Sequence, residues 1–314
     1  MLHMLERQAE GISPEPQRVI DILDHNGHMI DSDGHRLPLS HTIIVRGHAQ
    51  AGRNLHMSQN AKAHSRERFS QYAANYVNSE RHAKGDDLEL LAEMANPQPG
   101  WQALDIATGG GHTALRLAPH VRLMIATDYA PIMLKTAQSF IESKGAINIR
   151  FAPADAENLP FARESFDLIT CRIAPHHFPD CFRFVQECAR TLKIGGRLVV
   201  EDQLAPEDDR AARYIDSFER LRDPSHQRNF AEYEWRGMFL DAGLTVERVE
   251  IMRRPTRLQS WTETQGNEQD VVFRLNVMLK QAPPPAADWL QPRAIGSPEA
   301  EFDHTFILIS GQKR

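Results

Sequence analysis

Residues 102–113, Gln-Ala-Leu-Asp-Ile-Ala-Thr-Gly-Gly-Gly-His-Thr, constrain the fold more than any other stretch of the chain. An apolar run of strand length ends at Ile106, and three successive glycines, Gly109 to Gly111, follow before a helix-forming segment. Glycine lets the backbone come close to a ligand where any Cβ would collide, and the helix behind it directs unpaired N–H groups at whatever sits there. A strand, a glycine turn and a helix in this order form a nucleotide-binding corner at the carboxyl edge of a parallel sheet. The run Gly109-Gly110-Gly111-His112-Thr113-Ala114 also satisfies the G-x-G-x-x-A dinucleotide pattern, which has many accidental matches. The flanking residues therefore decide between ligands.

Asp105 lies inside the end of the first strand. A carboxylate there opposes a pyrophosphate but suits a ligand with a cationic amino group and a sulfonium, which favours S-adenosylmethionine over a dinucleotide. A second apolar strand, 123–127, ends at Asp128, where an acid accepts hydrogen bonds from ribose hydroxyls in either ligand class. A third, 147–153, leads to Asp155-Ala156-Glu157 and then Asn158-Leu159-Pro160-Phe161. A carboxylate there accepts from an adenine amine while the apolar residues enclose the ring. Taken singly, an Asp at a strand end caps the next helix as often as it binds a ligand. Three acids at three successive strand ends, beside a glycine turn, point to the ligand.

From about residue 69 to the C-terminus the chain resembles class I S-adenosylmethionine-dependent methyltransferases of the UbiE-like branch. Besides the glycine turn, the likeness runs through Leu159-Pro160-Phe161, Ser165-Phe166-Asp167-Leu168-Ile169-Thr170-Cys171-Arg172 and Ala174-Pro175-His176-His177-Phe178. It continues through 187–201, with Arg190-Thr191-Leu192-Lys193-Ile194-Gly195-Gly196-Arg197-Leu198. The resemblance implies an α/β, Rossmann-like, doubly wound, seven-stranded and mostly parallel sheet, with an N-terminal helical cap and a helical insertion after the fifth strand. It implies cofactor contact by Asp105, Gly109, Gly111, Asp128, Asp155 and Ala156, with Ala107, Thr108, Tyr129 and Arg172 assigned to the same site. Ala107 stands where many relatives have the first glycine of the turn, and it is expected to keep φ below zero. Gly195-Gly196 reads as a helix stop, with no ligand role.

A chain of 314 residues, two-fifths of them apolar, builds a sizeable core. A net charge of −6 with interspersed signs gives no basic footprint, so no nucleic-acid partner is expected. Cys171, Cys181 and Cys188 have no metal-like pairing and read as inert core residues of a reducing cytoplasm. No apolar run approaches the roughly 20 residues of a membrane span, and the N-terminal residues lack the regions of a signal peptide, so a cytoplasmic enzyme is expected. Metal binding by His25, His28, His35 or Asp31-Ser32-Asp33-Gly34 is disfavoured, because the remaining ligands are missing.

Residues 1–56 are polar and aperiodic and read as a dispensable extension. Residues 57–100 form the helical cap, with Phe69, Tyr72, Ala73 and Tyr76 on one face, and 101–314 form the methyltransferase domain. Pro224 interrupts a helical insertion over 208–242. Strands over 244–252 and 302–310 complete the sheet, and 281–298 is a Pro-rich connector. Arg172, His176 and His177 leave the fourth strand on the ligand-binding edge. Methyl transfer from a sulfonium needs alignment and, where the acceptor carries a proton, a base. His176, His177 and His226 are the candidates, with Arg172 or Tyr76 orienting the acceptor. The expected acceptor is a small apolar or aromatic molecule, quinone-like by resemblance, and the homodimeric state is left open. The alternatives are a nicotinamide-dependent oxidoreductase and a catalytically silent binding module on the same fold.

Overall fold

Runs of Val, Ile, Leu, Ala and Met without polar alternation make strands that are covered on both faces, as a parallel sheet requires. A computed structural model of the chain describes residues 60–72 and 85–314, all within one compact unit. Residues 60–72 are helical (α1). There follow α2 (Asp86–Ala95), β1 (Gln102–Ile106), α3 (His112–Leu117), β2 (Leu123–Asp128), α4 (Pro131–Ser143), β3 (Ile149–Pro153) and β4 (Phe166–Arg172). Then come α5 (Cys181–Thr191), β5 (Leu192–Gln203), α6 (Asp209–Arg222), α7 (Glu232–Asp241) and β6 (Leu244–Arg257). The chain closes with α8 (Leu258–Glu263), α9 (Gln269–Lys280), α10 (Pro284–Leu290) and β7 (Glu301–Lys313).

The seven strands lie in the order β3-β2-β1-β4-β5-β7-β6. The first five are parallel, and β7 runs antiparallel between β5 and β6. The order reverses between β1 and β4, so a crevice opens at their carboxyl ends, where open α/β sheets take ligands. Registers Ile106↔Thr127 and Ile106↔Cys171 place the ends of β1, β2 and β4 at one level. Helix starts follow from local chemistry: Asp180 accepts the Arg183 N–H at 2.9 Å ahead of α5, and Asp208 accepts those of Arg210 and Ala211 ahead of α6.

Two apolar clusters hold the layers together. One joins Leu91, Leu117, Met124, Ile141, Leu168 and Leu308 across α2, α3, α4 and the sheet. The other gathers Phe218, Trp261, Leu275, Leu279, Leu290 and Phe302, so that α6, α8, α9 and α10 build a small core against β7. Each such side chain taken from water contributes about 1.5–3 kcal/mol.

Several boundaries differ from the sequence reading. The stretch read as a connector over 281–298 contains α10, whose first turn is opened by Pro284 and Pro285 because proline's fixed φ suits a helix start. Ile147, read into the third strand, is 87% exposed and precedes β3. The fifth-strand glycines lie inside β5: Gly195 has φ +77°, and a Cβ on Gly196 would stand 2.9 Å from the Lys193 carbonyl. Their role is structural, as read, but in a strand. The cap is interrupted at Gly85, which is extended ahead of α2. Tyr76 and residues 1–56 lie outside the described residues. Within those described, no helix is long and apolar enough to cross a membrane.

Candidate active site

The crevice is a cleft of about 1080 Å³ lined by the β1–α3 turn, the ends of β2 and β4, the loop after β3 and one side of α1. Asp105, Ala107, Thr108, Gly109, Asp128, Tyr129, Asp155, Ala156, Arg172 and His177 all line it, and Lys62 and Phe69 join them from α1.

Asp105 is 1% exposed, and both its oxygens are held by hydroxyls: Thr108 donates to Oδ2 at 2.6 Å and Thr170 to Oδ1 at 2.7 Å. Burial outweighs these bonds and pushes its pKa up to about 6. Asp128 closes the glycine turn: Oδ2 accepts the Gly109 N–H at 3.1 Å and Oδ1 accepts the Ala130 N–H at 2.9 Å. Burial raises it also to about 6. A Cβ built on Gly109 would meet only the Ala107 carbonyl, at 3.9 Å, so the space before the turn is open. Gly111 serves a different purpose. Its Cβ would strike Ile141 at 2.7 Å and Ala137 at 3.3 Å, so this glycine allows α3 to lie close on α4 and does not line the cleft.

Ala107 departs from expectation. Its φ is +51°, in the left-handed region that costs a non-glycine residue roughly 1–2 kcal/mol. The strain is held by its neighbour: the Thr108 N–H donates to the Thr127 carbonyl at 2.8 Å and its hydroxyl is fixed on Asp105. Ile173, at the end of β4, has φ +54° and lines the same cleft.

Asp155 and Glu157 are clasped by Lys62, whose ammonium lies 2.8 Å from Asp155 Oδ2 and 2.5 Å from Glu157 Oε2. Sequence reasoning missed Lys62, since a lysine on a polar helix carries no motif and its partner is 93 residues away. Arg172 bonds neither acid. Its Nη1 pairs with Asp87 Oδ2 at 2.7 Å and its Nε donates to the Thr113 hydroxyl at 3.1 Å. Asp87 also receives Arg254 at 2.9 Å, and these two arginines keep its carboxyl low despite burial. Burial and the Asp87 charge push the adjacent Glu201 up to about 8.

The three histidines part company. Rings of His176 and His177 lie 4.1 Å apart, and His176 and His226 5.6 Å apart. His176 is 5% exposed with Nδ1 on Asp202 at 2.5 Å, and His226 Nε2 is on Asp216 at 2.9 Å; neither lines the cleft. Burial works against a charge on His176, but Asp202 raises its pKa. His177 does line the cleft, edge-on to Phe69 at 4.8 Å. Burial and the neighbouring His176 hold its imidazole far below the usual histidine range. Cys171, Cys181 and Cys188 are buried free thiols, raised by desolvation and away from the cleft lining.

The sheet order and an acid-flanked glycine turn at the switch point define a Rossmann-like fold built for an adenosyl ligand with a cationic arm. A family model described as a methyltransferase domain matches residues 104–200. The uncharacterized methyltransferase YcgJ of Bacillus subtilis (strain 168) is 38% identical over 248 residues, 78% of this chain and 98% of its own. The crystal structure of YcgJ superposes with a TM-score of 0.70 over 72% of this chain and 97% of that one, at 37% identity. A putative methyltransferase from Bacillus halodurans C-125 has the same TM-score at 33% identity, covering 73% of this chain and 99% of that one. The demethylmenaquinone methyltransferase of Thermotoga maritima is 37% identical over 134 residues, 42% of this chain and 54% of its own. The chain belongs to the class I S-adenosylmethionine-dependent methyltransferases, with UbiE-like relatives. It is an enzyme whose cofactor is S-adenosylmethionine, and the nicotinamide alternative falls away.

Proposed function

We propose that this methyltransferase acts on a small apolar or aromatic acceptor that bears an acidic proton, a phenol or quinol, and that His177 receives that proton. The observation that carries the reading is the neutral imidazole of His177, set beside Phe69 in the same cleft as the three acids. The partial likeness to a demethylmenaquinone methyltransferase supports a quinol among the acceptors. When bound, S-adenosylmethionine supplies a methyl group on a sulfonium, whose departure leaves a neutral thioether. Asp128 keeps a second lone pair on each oxygen for the ribose hydroxyls. Asp105 faces the cationic amine, and Asp155 receives the adenine amine as Lys62 yields. Phe69 and Phe178 exclude water around the acceptor, and Arg172, tied to Asp87, acts as a fixed wall of the cleft.

Asp128→Ala is expected to weaken S-adenosylmethionine binding by roughly 1–3 kcal/mol, about fivefold to a hundredfold, through loss of charge-assisted hydrogen bonds. Calorimetric titration measures it, and an unchanged affinity removes Asp128 from the site.

The same titration has a pH signature. Asp105 and Asp128 ionise near 6 in the ligand-free protein, and the ligand needs both as carboxylates. Affinity is therefore full at pH 7 and lost as the pH falls through 6. By pH 5 each acid is about nine-tenths protonated, so binding drops about tenfold per acid. A flat profile between pH 7 and 5 contradicts their role. The acceptor class is tested by methyl transfer from labelled S-adenosylmethionine to phenols, catechols, 1,4-naphthoquinol and aliphatic amines. Product from the quinol or phenols supports the proposal, and product from amines alone overturns it.

A further inference from the structure

The turn that follows α6, Asp223-Pro224-Ser225-His226, touches the candidate base. The Ser225 hydroxyl lies 3.2 Å from His177 Nδ1 and 2.6 Å from Asp223 Oδ1. Ser225 is 0% exposed and Asp223 2%. The Ser225 N–H also donates to Oδ1 at 3.0 Å, the Gln265 amide donates to Oδ2 at 2.8 Å, and Arg68 Nε stands 3.2 Å from Oδ1. A backbone N–H, an amide NH₂ and a guanidinium are all donors, so Asp223 can only accept from them. The hydroxyl has one proton, and the carboxylate is the partner that must have it. Ser225 Oγ then meets Nδ1 with lone pairs alone, so Nδ1 must be the nitrogen that carries hydrogen.

We infer that Ser225 and Asp223 are positioning residues that lock His177 as its Nδ1–H tautomer and so leave Nε2 as the proton-accepting nitrogen. This rests on the reading of His177 as the base. The loop is fixed beneath the ring, because the His176 carbonyl accepts the N–H groups of Gln227 and Arg228 at 2.8 and 3.2 Å. Neighbouring groups do not compete for the hydroxyl: His176 is committed to Asp202 and His226 to Asp216. In the transfer, the carbon–sulfur bond breaks with its electron pair going to sulfur as the acceptor atom bonds the methyl carbon. The acceptor's proton passes to the Nε2 lone pair. The resulting imidazolium keeps Nδ1–H on Ser225, with the Asp223 charge two bonds behind it, and later loses the Nε2 proton to solvent. The arrangement orients and stabilises an imidazolium as a carboxylate behind a histidine does in hydrolytic triads, with a hydroxyl interposed.

The test is the tautomer itself, read from ¹⁵N shifts and long-range ¹H–¹⁵N correlations of histidine-labelled full-length protein. The His177 signals are those absent from His177→Gln. The expected native pattern is a protonated Nδ1 and a bare Nε2. Ser225→Ala and Asp223→Asn should shift it toward the Nε2–H form while S-adenosylmethionine affinity is retained, and Ser225→Thr, which restores the hydroxyl, should bring it back. With 1,4-naphthoquinol, Ser225→Ala should lower kcat about tenfold at unchanged KM. An Nε2–H tautomer in the native protein, or a Ser225→Ala spectrum like the native one, overturns the inference. Full turnover by His177→Gln instead removes the base reading, and the tautomer measurement stands apart from it.

Discussion

His177→Ala is expected to depress methyl transfer by about a hundredfold or more while leaving S-adenosylmethionine affinity at its native value. The acceptor's proton must leave as the methyl group arrives, and an imidazole kept neutral by burial and by its histidine neighbour is ready to take it at any physiological pH. The substitution removes the base but none of the three acids, so the loss should fall on kcat and not on cofactor binding. Parallel substitutions sharpen the result. His176 and His226 are bound to Asp202 and Asp216 and stand outside the cleft lining, so His176→Ala and His226→Ala should act through folding stability and far less through turnover. If His177→Ala keeps near-native turnover on a phenol or quinol acceptor, alignment alone carries the reaction.

Gly109→Val is expected to reduce S-adenosylmethionine binding by at least a hundredfold. The protein leaves the space in front of Gly109 empty to 3.9 Å, and a branched side chain there fills the volume that the ligand must enter. The same change places a β-branched residue at φ +55°, a strain of roughly 1–3 kcal/mol that should lower Tm by several degrees without unfolding the protein. Calorimetry and a melting curve separate the two effects. Native affinity would mean that the ligand does not approach the turn, whereas loss of the fold would make Gly109 a residue of the scaffold alone.

The strand, turn and helix at 102–113, the acids at the strand ends and the seven-stranded sheet were legible because each leaves a local mark: an apolar run, a glycine cluster, a carboxylate at a boundary. What was not legible depends on contacts between distant residues. Lys62 meets Asp155 across 93 positions, and Arg172 meets Asp87 across 85. Asp87 looked like an ordinary acid in a helix's first turn. The purpose of Gly111 emerges only when Ile141 is seen against it. Ala107 follows the opposite rule, since a left-handed alanine is what local propensity argues against, and Asp105, Thr108 and Thr127 impose it. In the Asp223-Pro224-Ser225-His226 turn the histidine drew the eye, although the Asp-x-Ser spacing is itself a signal for side-chain hydrogen bonding across a turn.

Lys62 changes what an empty cofactor site means. With its ammonium on Asp155 and Glu157, the end of the cleft beyond β3 already has an occupant supplied by the chain. Any adenine that takes Asp155 takes it from that lysine, so a dissociation constant for this enzyme reports an exchange of partners and not the filling of a void. The contacts formed by the ligand and the ion pairs it dislodges enter the same number with opposite signs. Two relatives with identical ligand contacts can thus differ in affinity according to what stands at the position of a single helix residue that the bound ligand need never touch.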